Sequence, residues 1–315
     1  MAEDNHSKVD RVRAAWRRRV GFHSLSETDA YRVLHGYSEG APGWNIERFA
    51  SAAVVTHPET ERDWLEGITN ALTELDVFST IVTKARDTRG ATTDVAIARG
   101  EPVPARTSCR EHGLCFEIDL LAPQNAGLYL DGRPARRFLL DHARERRVLN
   151  LFAHTGSLGV AAAVGGARRV VHVETQRRKR EIIRRNHEAN GVPIDPRDVS
   201  GEDAYRMLRH AASSGNEFDG VVLDPPPIAA RRGGRSRPRA QDFDTLIPLA
   251  SQVVAPEGWL LCFLHRQSGA SRATEERVLA LAGDAFEVMW RDRSGDDFPE
   301  DDPEKKLRFL GLRRR

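Results

Sequence analysis

Cysteine is scarce: the 315 residues include three, Cys109, Cys115 and Cys262. An odd number at wide spacing gives neither the even framework of a stapled secreted domain nor a CxxC pair suited to zinc. A reducing, cytoplasmic setting and no metal site are therefore expected. Lysine is nearly missing as well, since 43 of the 48 basic residues are arginine. No apolar run approaches the ~20 residues of a membrane span. The opening stretch from Met1 to Arg19 has no apolar core of a secretory signal, so neither export nor a membrane role is expected. The formal net charge of +2 is too small to make the whole surface attract nucleic acid. Only local arginine clusters bear on partners.

The length suits one large or two moderate domains. Residues 1–28 read as a basic helix in which Val12 and Trp16 form a thin apolar stripe, a pattern that docks rather than folds alone. Residues 29–120 read as a small α+β domain, a candidate substrate-binding part. Pro42-Gly43 marks a turn, 51–56 and 80–82 read as strands, 63–75 as a helix, and 93–107 as loops and short edge strands. Residues 121–315 form the third segment. Beyond Asp131 helix and strand alternate, with strands expected at 148–152, 169–173, 219–223, 259–264, 286–290 and 307–312. That rhythm predicts an α/β fold with a mostly parallel sheet covered on both faces. Arg231 to Arg239, with five arginines and no acid, reads as a mobile loop.

Residues 148–174 carry the most information. Val148 to Phe152 is short enough for a buried parallel strand, Thr155-Gly156-Ser157 supplies a turn and cap-type hydroxyls, and Gly165-Gly166 stops the helix that follows. A second apolar run then delivers Glu174, 18 residues after Gly156, near the ~20-residue offset at which an acid meets a ribose hydroxyl pair. The turn lacks the GxGxxG pattern of a dinucleotide pyrophosphate site, which points to a ribose-bearing ligand without a pyrophosphate. The alternative is that the glycines only turn the chain and Glu174 caps the next helix. Farther on, the strand Phe218 to Leu223 runs into Asp224-Pro225-Pro226-Pro227. Prolines fix φ and end a ladder, so Asp224 is held at the carboxyl edge where open α/β sheets bind ligands. A proline linker is the plainer reading, but the strand before it is too apolar for one. Asp203 follows another expected strand and suits either the amino group of a base or a helix N-cap.

Taken together, VLNLFAHTGSLGVAAAVGGA, VVHVE, GEDAYRML and VVLDPPP resemble the class I S-adenosylmethionine-dependent methyltransferases with their Rossmann-like sheet. More narrowly they resemble the bacterial 23S ribosomal RNA methyltransferase family, which holds cytosine carbon-5 and guanine nitrogen-7 enzymes. The resemblance extends through Gly36 to Phe49, Glu111 to Leu114 and Gly127 to Arg133. It begins at about residue 30, so the extra N-terminal RNA-binding domain of some members is not expected. It implies S-adenosylmethionine as cofactor, with Asn150, Phe152, Thr155 and Gly156 along its methionine part, Glu174 at the ribose, and Asp203 with Ala204 at the adenine. Asp224, Pro225 and Pro226 would face the methyl group and the acceptor base, and Arg133 would help close the pocket. RNA, ribosomal above all, is the implied partner, and the oligomeric state is left open.

Three departures from the family bear on the acceptor. Gly132 stands where a glutamine is usual, Pro227 where a lysine or threonine is common, and His265 where the cytosine enzymes carry a nucleophilic cysteine. Methylating carbon 5 of a pyrimidine needs a thiolate that adds to the ring, so nitrogen is the expected acceptor, because it brings its own lone pair and needs only alignment. Cys262, three residues earlier on the same strand, points to the opposite face from His265. His265 itself is a candidate general base or substrate contact. Arg231 to Arg239 are candidate phosphate contacts beside the acceptor base, with a solvated loop as the alternative, while Arg11, Arg13 and Arg17 to Arg19 are a poor substitute for an RNA-binding domain and offer only nonspecific charge. Competing readings are a methyltransferase acting on a small molecule or protein, and an RNA-binding relic without turnover.

Overall fold

The computed structural model describes residues 2–100, 102, 106–226, 242–265 and 271–315. Pro227 and the arginine stretch Arg231 to Arg239 lie outside the described residues. The chain separates into two compact units, residues 1–131 with 295–301, and residues 132–294 with 302–315.

In the first unit, helices α1 (Ala2–Arg18) and α2 (Val20–His23) precede strands β1 (Ala30–His35), β2 (Asn45–Phe49) and β3 (Ala52–Pro58). Helix α3 (Leu65–Glu74) leads to β4 (Thr80–Arg86) and β5 (Thr92–Gly100). The sheet order follows the chain, and β3 with β4 is the parallel pair, which α3 connects as a crossover. Alternation sends Val33, Ile46, Val55 and Ile81 to one face, where Val12 and Ala15 of α1 and Ile68 and Leu72 of α3 cover them. The apolar stripe of α1 is thus buried against the sheet. A hairpin follows, β6 (Thr107–Glu111) and β7 (Leu114–Ile118), turning at His112 and Gly113, both with positive φ (54° and 77°). Two central residues of that hand make the primed turn that matches strand twist.

The structure refines two sequence readings here. Residues 92–100, which overlap the 93–107 stretch read as loops and short edge strands, form one nine-residue edge strand. Its side chains are almost all exposed, so β5 is held by its ladder to β4 and leaves no hydrophobic pattern to read. The N-terminal arginines are also largely engaged. Arg13 pairs with Glu74, Arg18 and Arg19 both bind Glu39, and Arg19 is 2% exposed, which removes it from any surface role.

The second unit opens with α4 (Arg133–His142), β8 (Arg147–Leu151), α5 (Ser157–Val164), β9 (Arg169–Val173), α6 (Arg177–Ala189) and β10 (Val199–Ser200). It continues with α7 (Ala204–Ser213), β11 (Phe218–Leu223), α8 (Phe243–Ser251), β12 (Val254–Leu264), α9 (Ser271–Ala282), β13 (Phe286–Arg293) and β14 (Arg308–Arg314). The strand order is β10-β9-β8-β11-β12-β14-β13. β10 to β12 run parallel and β14 is antiparallel to both its neighbours. One face buries Leu149, Leu151, Val221, Leu223, Leu260 and Cys262 under residues of α7, α8 and α9. Each such fully buried aliphatic side chain contributes about 1.5–3 kcal/mol over its exposed state. On the other face a Cβ at Gly220 would lie 2.2 Å from the Trp259 indole, so the ring can lie on the strand only over glycine.

From β8 the chain winds outward through β9 and β10 in one direction and through β11 and β12 in the other. The order reverses between β8 and β11, and open α/β sheets bind ligands at the carboxyl ends of the strands at such a reversal. No helix among the described residues is long and apolar enough to cross a membrane.

Candidate functional site

The loop after β8 is conformationally unusual. Phe152 (φ 57°), His154 (φ 53°) and Gly156 (φ 84°) all lie in the left-handed region. For Phe152 and His154 that costs about 1–2 kcal/mol each, and strain of this kind collects where a loop must present its backbone to a ligand. Gly156 caps α5, and a Cβ there would approach Ile183 to 3.0 Å, so both φ and packing call for glycine.

Glu174, at the end of β9, is 8% exposed. One carboxylate oxygen accepts the His154 N–H at 3.0 Å and the other the Gln176 N–H at 2.8 Å. The side chain thereby ties the glycine loop to the start of α6. The helix-cap reading of Glu174 is part of the answer, and it does not exhaust the group: each oxygen keeps a further lone pair for a hydroxyl donor. These residues fit a ribose diol held beside a strained glycine turn.

Asp203 is the N-cap of α7, its Oδ1 accepting the Tyr205 N–H at 3.0 Å, and Ala204 beside it is buried in the core. Phe152 is half-buried against the same core. Thr155 is buried, and its carbonyl accepts from Asn186 Nδ2 at 2.8 Å. Arg133 is buried at the start of α4. Asn150, fully buried, turns to a neighbour: its Nδ2 lies 3.2 Å from His172 Nδ1.

That contact begins a chain of donors absent from the sequence reading. His172 Nε2 lies 2.8 Å from His187 Nε2, and His187 Nδ1 lies 2.9 Å from the Val192 carbonyl. A carbonyl only accepts, so His187 Nδ1 donates to it. His187 Nε2 then accepts from His172, and His172 Nδ1 accepts from Asn150. Both rings are neutral in this arrangement, and a proton added to either breaks it. The chain underlies the glycine turn, because a Cβ at Gly159 would meet His172 Cε1 at 2.2 Å. A histidine interrupting the apolar strand Val170 to Val173 was the available signal.

Burial pushes His172 far below the ordinary histidine value, with His187 adding to the effect, and burial likewise lowers His187. His154 falls to about 3 through burial and the neighbouring Lys179. The fold thus binds fewer protons than the unfolded chain below pH ~6.5. Stability from these groups is complete above that pH and drains away as pH falls. His172 and His187 are both at most 1% exposed, and each contributes a slope of up to about 1.4 kcal/mol per pH unit while it stays neutral in the fold. Urea midpoints at pH 7.5 and 5.5 check this: the midpoint should drop clearly at the lower pH, and equal midpoints would mean that the pair titrates normally.

At the carboxyl end of β11, Asp224 Oδ1 lies 2.6 Å from Nε2 of His265, which follows the neighbouring strand β12. Both side chains are about a quarter exposed (23% and 24%). Pro225 is buried and Pro226 half-buried behind them. On the same side of the sheet, a Cβ at Gly132 would lie 3.0 Å from an Arg136 nitrogen and 3.6 Å from the Phe263 ring. A larger residue there would therefore displace Arg136. Cys262 is fully buried on the opposite face, and burial pushes its thiol up, out of the range of a working nucleophile. Among the described residues no group of three or more His, Cys, Asp or Glu side chains is placed to hold a metal ion.

A family model described as S-adenosylmethionine-dependent methyltransferase matches residues 79–313. Among curated relatives, ribosomal RNA large subunit methyltransferase I of Photobacterium profundum is 28% identical over 260 residues, 81% of this chain. The match covers 65% of that relative, so the chain spans just under two thirds of its length. A solved structure from Streptococcus mutans, proposed to be a SAM-dependent methyltransferase, aligns with a TM-score of 0.87 at 19% identity, covering 98% of this chain and 81% of its own. The same values hold for a structure of a proposed methyltransferase complexed with SAH. These likenesses show the fold.

Proposed function

The chain belongs to the S-adenosylmethionine-dependent methyltransferase family, and from that premise we propose that it methylates a base of ribosomal RNA, at a nitrogen rather than at carbon 5 of cytosine. The likeness to a ribosomal RNA methyltransferase supports the substrate. The observation that carries the choice of acceptor is the Asp224–His265 pair at the carboxyl edge, together with Cys262 buried on the far face. The first unit serves as the RNA-binding part, the second as the transferase, and the setting is the cytoplasm.

In this reading Glu174 holds the ribose hydroxyls, the Asp203–Ala204 segment receives the adenine, and the backbone from Phe152 to Gly156 lines the methionine end. Asn150 supports that loop through His172, and Arg133 closes the pocket. Bound S-adenosylmethionine supplies an electrophilic methyl group. Asp224 would accept a hydrogen bond from the N–H of the acceptor base, orienting its nitrogen lone pair toward the cofactor side of the site and stabilising positive charge on the base. His265 fixes the orientation of the carboxylate and offers a place for the departing proton. Pro225 and Pro226 keep the loop extended and exclude water from one side.

The test is transfer of labelled methyl from S-adenosylmethionine to ribosomal RNA, followed by nucleoside mass spectrometry. Wild-type protein should label a nitrogen, and Glu174→Ala should lose cofactor binding by at least about 1.5–3 kcal/mol, roughly ten- to a hundredfold, the value of one charge-assisted hydrogen bond. A methylated cytosine carbon would overturn the acceptor. Equal cofactor binding by both proteins would overturn the site.

A further inference from the structure

Resting on the RNA reading above, we infer that the first unit has a nucleotide pocket of its own, in which the Tyr129 ring stacks on an unpaired base and Lys84 and Arg86 hold the adjoining phosphate. A cavity of about 170 Å³ lies over the sheet face turned away from the α1 and α3 core, with residues 124–131 along its wall. At ~30 Å³ per water this is room for about six waters, enough for one base or one phosphate and too small for a drug-sized ligand.

Lys84 and Arg86, two apart on β4, share this face. Lys84 is 2% exposed and donates to the Ala122 carbonyl at 2.6 Å, while Arg86 donates to the Gln124 carbonyl at 3.1 Å. Neither cation has a carboxylate within ion-pair distance among the described residues, and Arg86 Nε has no hydrogen-bond partner there. The carboxylate of Glu47 on this face is already engaged by Arg32 at 2.9 Å. With Arg32, Lys84 and Arg86 set against Glu47 and Asp131, cations lining the cavity exceed carboxylates by one. A buried cation lacking a counter-ion carries a desolvation cost that a bound anion offsets. Burial lowers the Lys84 pKa, with Arg86 adding to the effect and the more distant Glu47 and Asp119 carboxylates opposing it.

Tyr129 adds what a bare phosphate site lacks. It is 49% exposed, although Asn125 Nδ2 holds its hydroxyl at 2.9 Å. A ring held at its hydroxyl and half exposed is a platform for an unstacked base. Aromatic stacking beside a cation is how single-stranded RNA is held without reading a duplex groove.

The experiment measures the affinity of the full chain for a fluorescent 12-nucleotide single-stranded RNA of mixed sequence, by anisotropy across salt concentrations. Tyr129→Ala should weaken binding about five- to a hundredfold and Tyr129→Phe should retain it. Arg86→Ala should weaken binding and lower the salt slope by about 0.7, the share of one phosphate on a single strand. Calorimetry with S-adenosylmethionine should find cofactor affinity unchanged in all three variants, which shows that they fold. If wild-type protein binds RNA and Tyr129→Ala and Arg86→Ala bind it equally well, the pocket is wrong and the RNA reading stands. If wild-type protein binds no RNA, both are wrong. A duplex bound as tightly as the single strand also overturns the stacking site.

Discussion

Asp224→Asn is expected to slow methyl transfer to RNA by about a hundredfold or more while leaving affinity for S-adenosylmethionine within a few-fold of wild type. Asparagine matches aspartate in shape and sits on a partly exposed loop end, so the fold has little reason to change. It still has a carbonyl oxygen to accept a hydrogen bond, but it carries no charge. A nitrogen attacking a methyl group becomes more positive as the bond forms, so a carboxylate helps the transition state more than the ground state, and only that difference accelerates the step. Groups that take or stabilise a proton in this way contribute typically 10²- to 10⁴-fold. His265→Ala should cost less, about tenfold, since it removes the partner at 2.6 Å and leaves the charge in place. Single-turnover rates at saturating RNA, with cofactor affinity measured separately, divide the two effects. A rate for Asp224→Asn close to wild type would remove Asp224 from the chemistry.

The carboxyl edge was legible because β9 and β11 are short, mainly apolar runs each followed directly by a carboxylate. Glu174 and Asp224 stand out for that reason and directly follow β9 and β11, while Gly156 caps α5 five residues after β8. Their local roles were harder to read. Glu174 accepts the His154 and Gln176 N–H groups, one on each oxygen, and the sequence offered a ribose contact and a helix cap as alternatives although two oxygens leave room for both. The Asp224–His265 contact spans 41 residues and depends on β11 lying beside β12, which no local pattern states. The histidine chain from Asn150 to Val192 was hidden because a buried histidine in a strand looks like an isolated polar exception until its partner on α6 is known. The length of β5 was not legible for the opposite reason: an exposed edge strand has backbone partners on one side and no apolar face.

The N-terminal arginine run shows how far composition can mislead about burial, and it leads to the largest stability effect expected in the first unit. Glu39 is 7% exposed, in a short turn after β1, and its carboxylate is saturated with donors. Arg19 reaches both oxygens, at 2.6 and 2.8 Å, Arg18 adds contacts at 2.6 and 3.1 Å, and the His35 N–H donates at 2.7 Å. Burial alone would push the Glu39 carboxyl up; the Arg19 guanidinium, the His35 N–H and Arg18 outweigh it and hold the pKa below its ordinary value. Arg19, equally buried, also donates to the carbonyls of Arg32 and Asp297. Removing one partner strands the other charge away from water, so Glu39→Ala should destabilise this unit by about 3–5 kcal/mol. Replacing Glu39 by Leu together with Arg19 by Met should recover a large part of that loss, because two apolar side chains of similar volume leave no unpaired charge. Urea unfolding followed by hydrogen exchange at the β1 to β4 amides resolves this unit from the other. A Glu39→Ala loss under about 1 kcal/mol would mean that water reaches Arg19. A double variant no more stable than the single one would mean that the donors from Arg18 and His35, rather than the buried ion pair, carry the stabilisation.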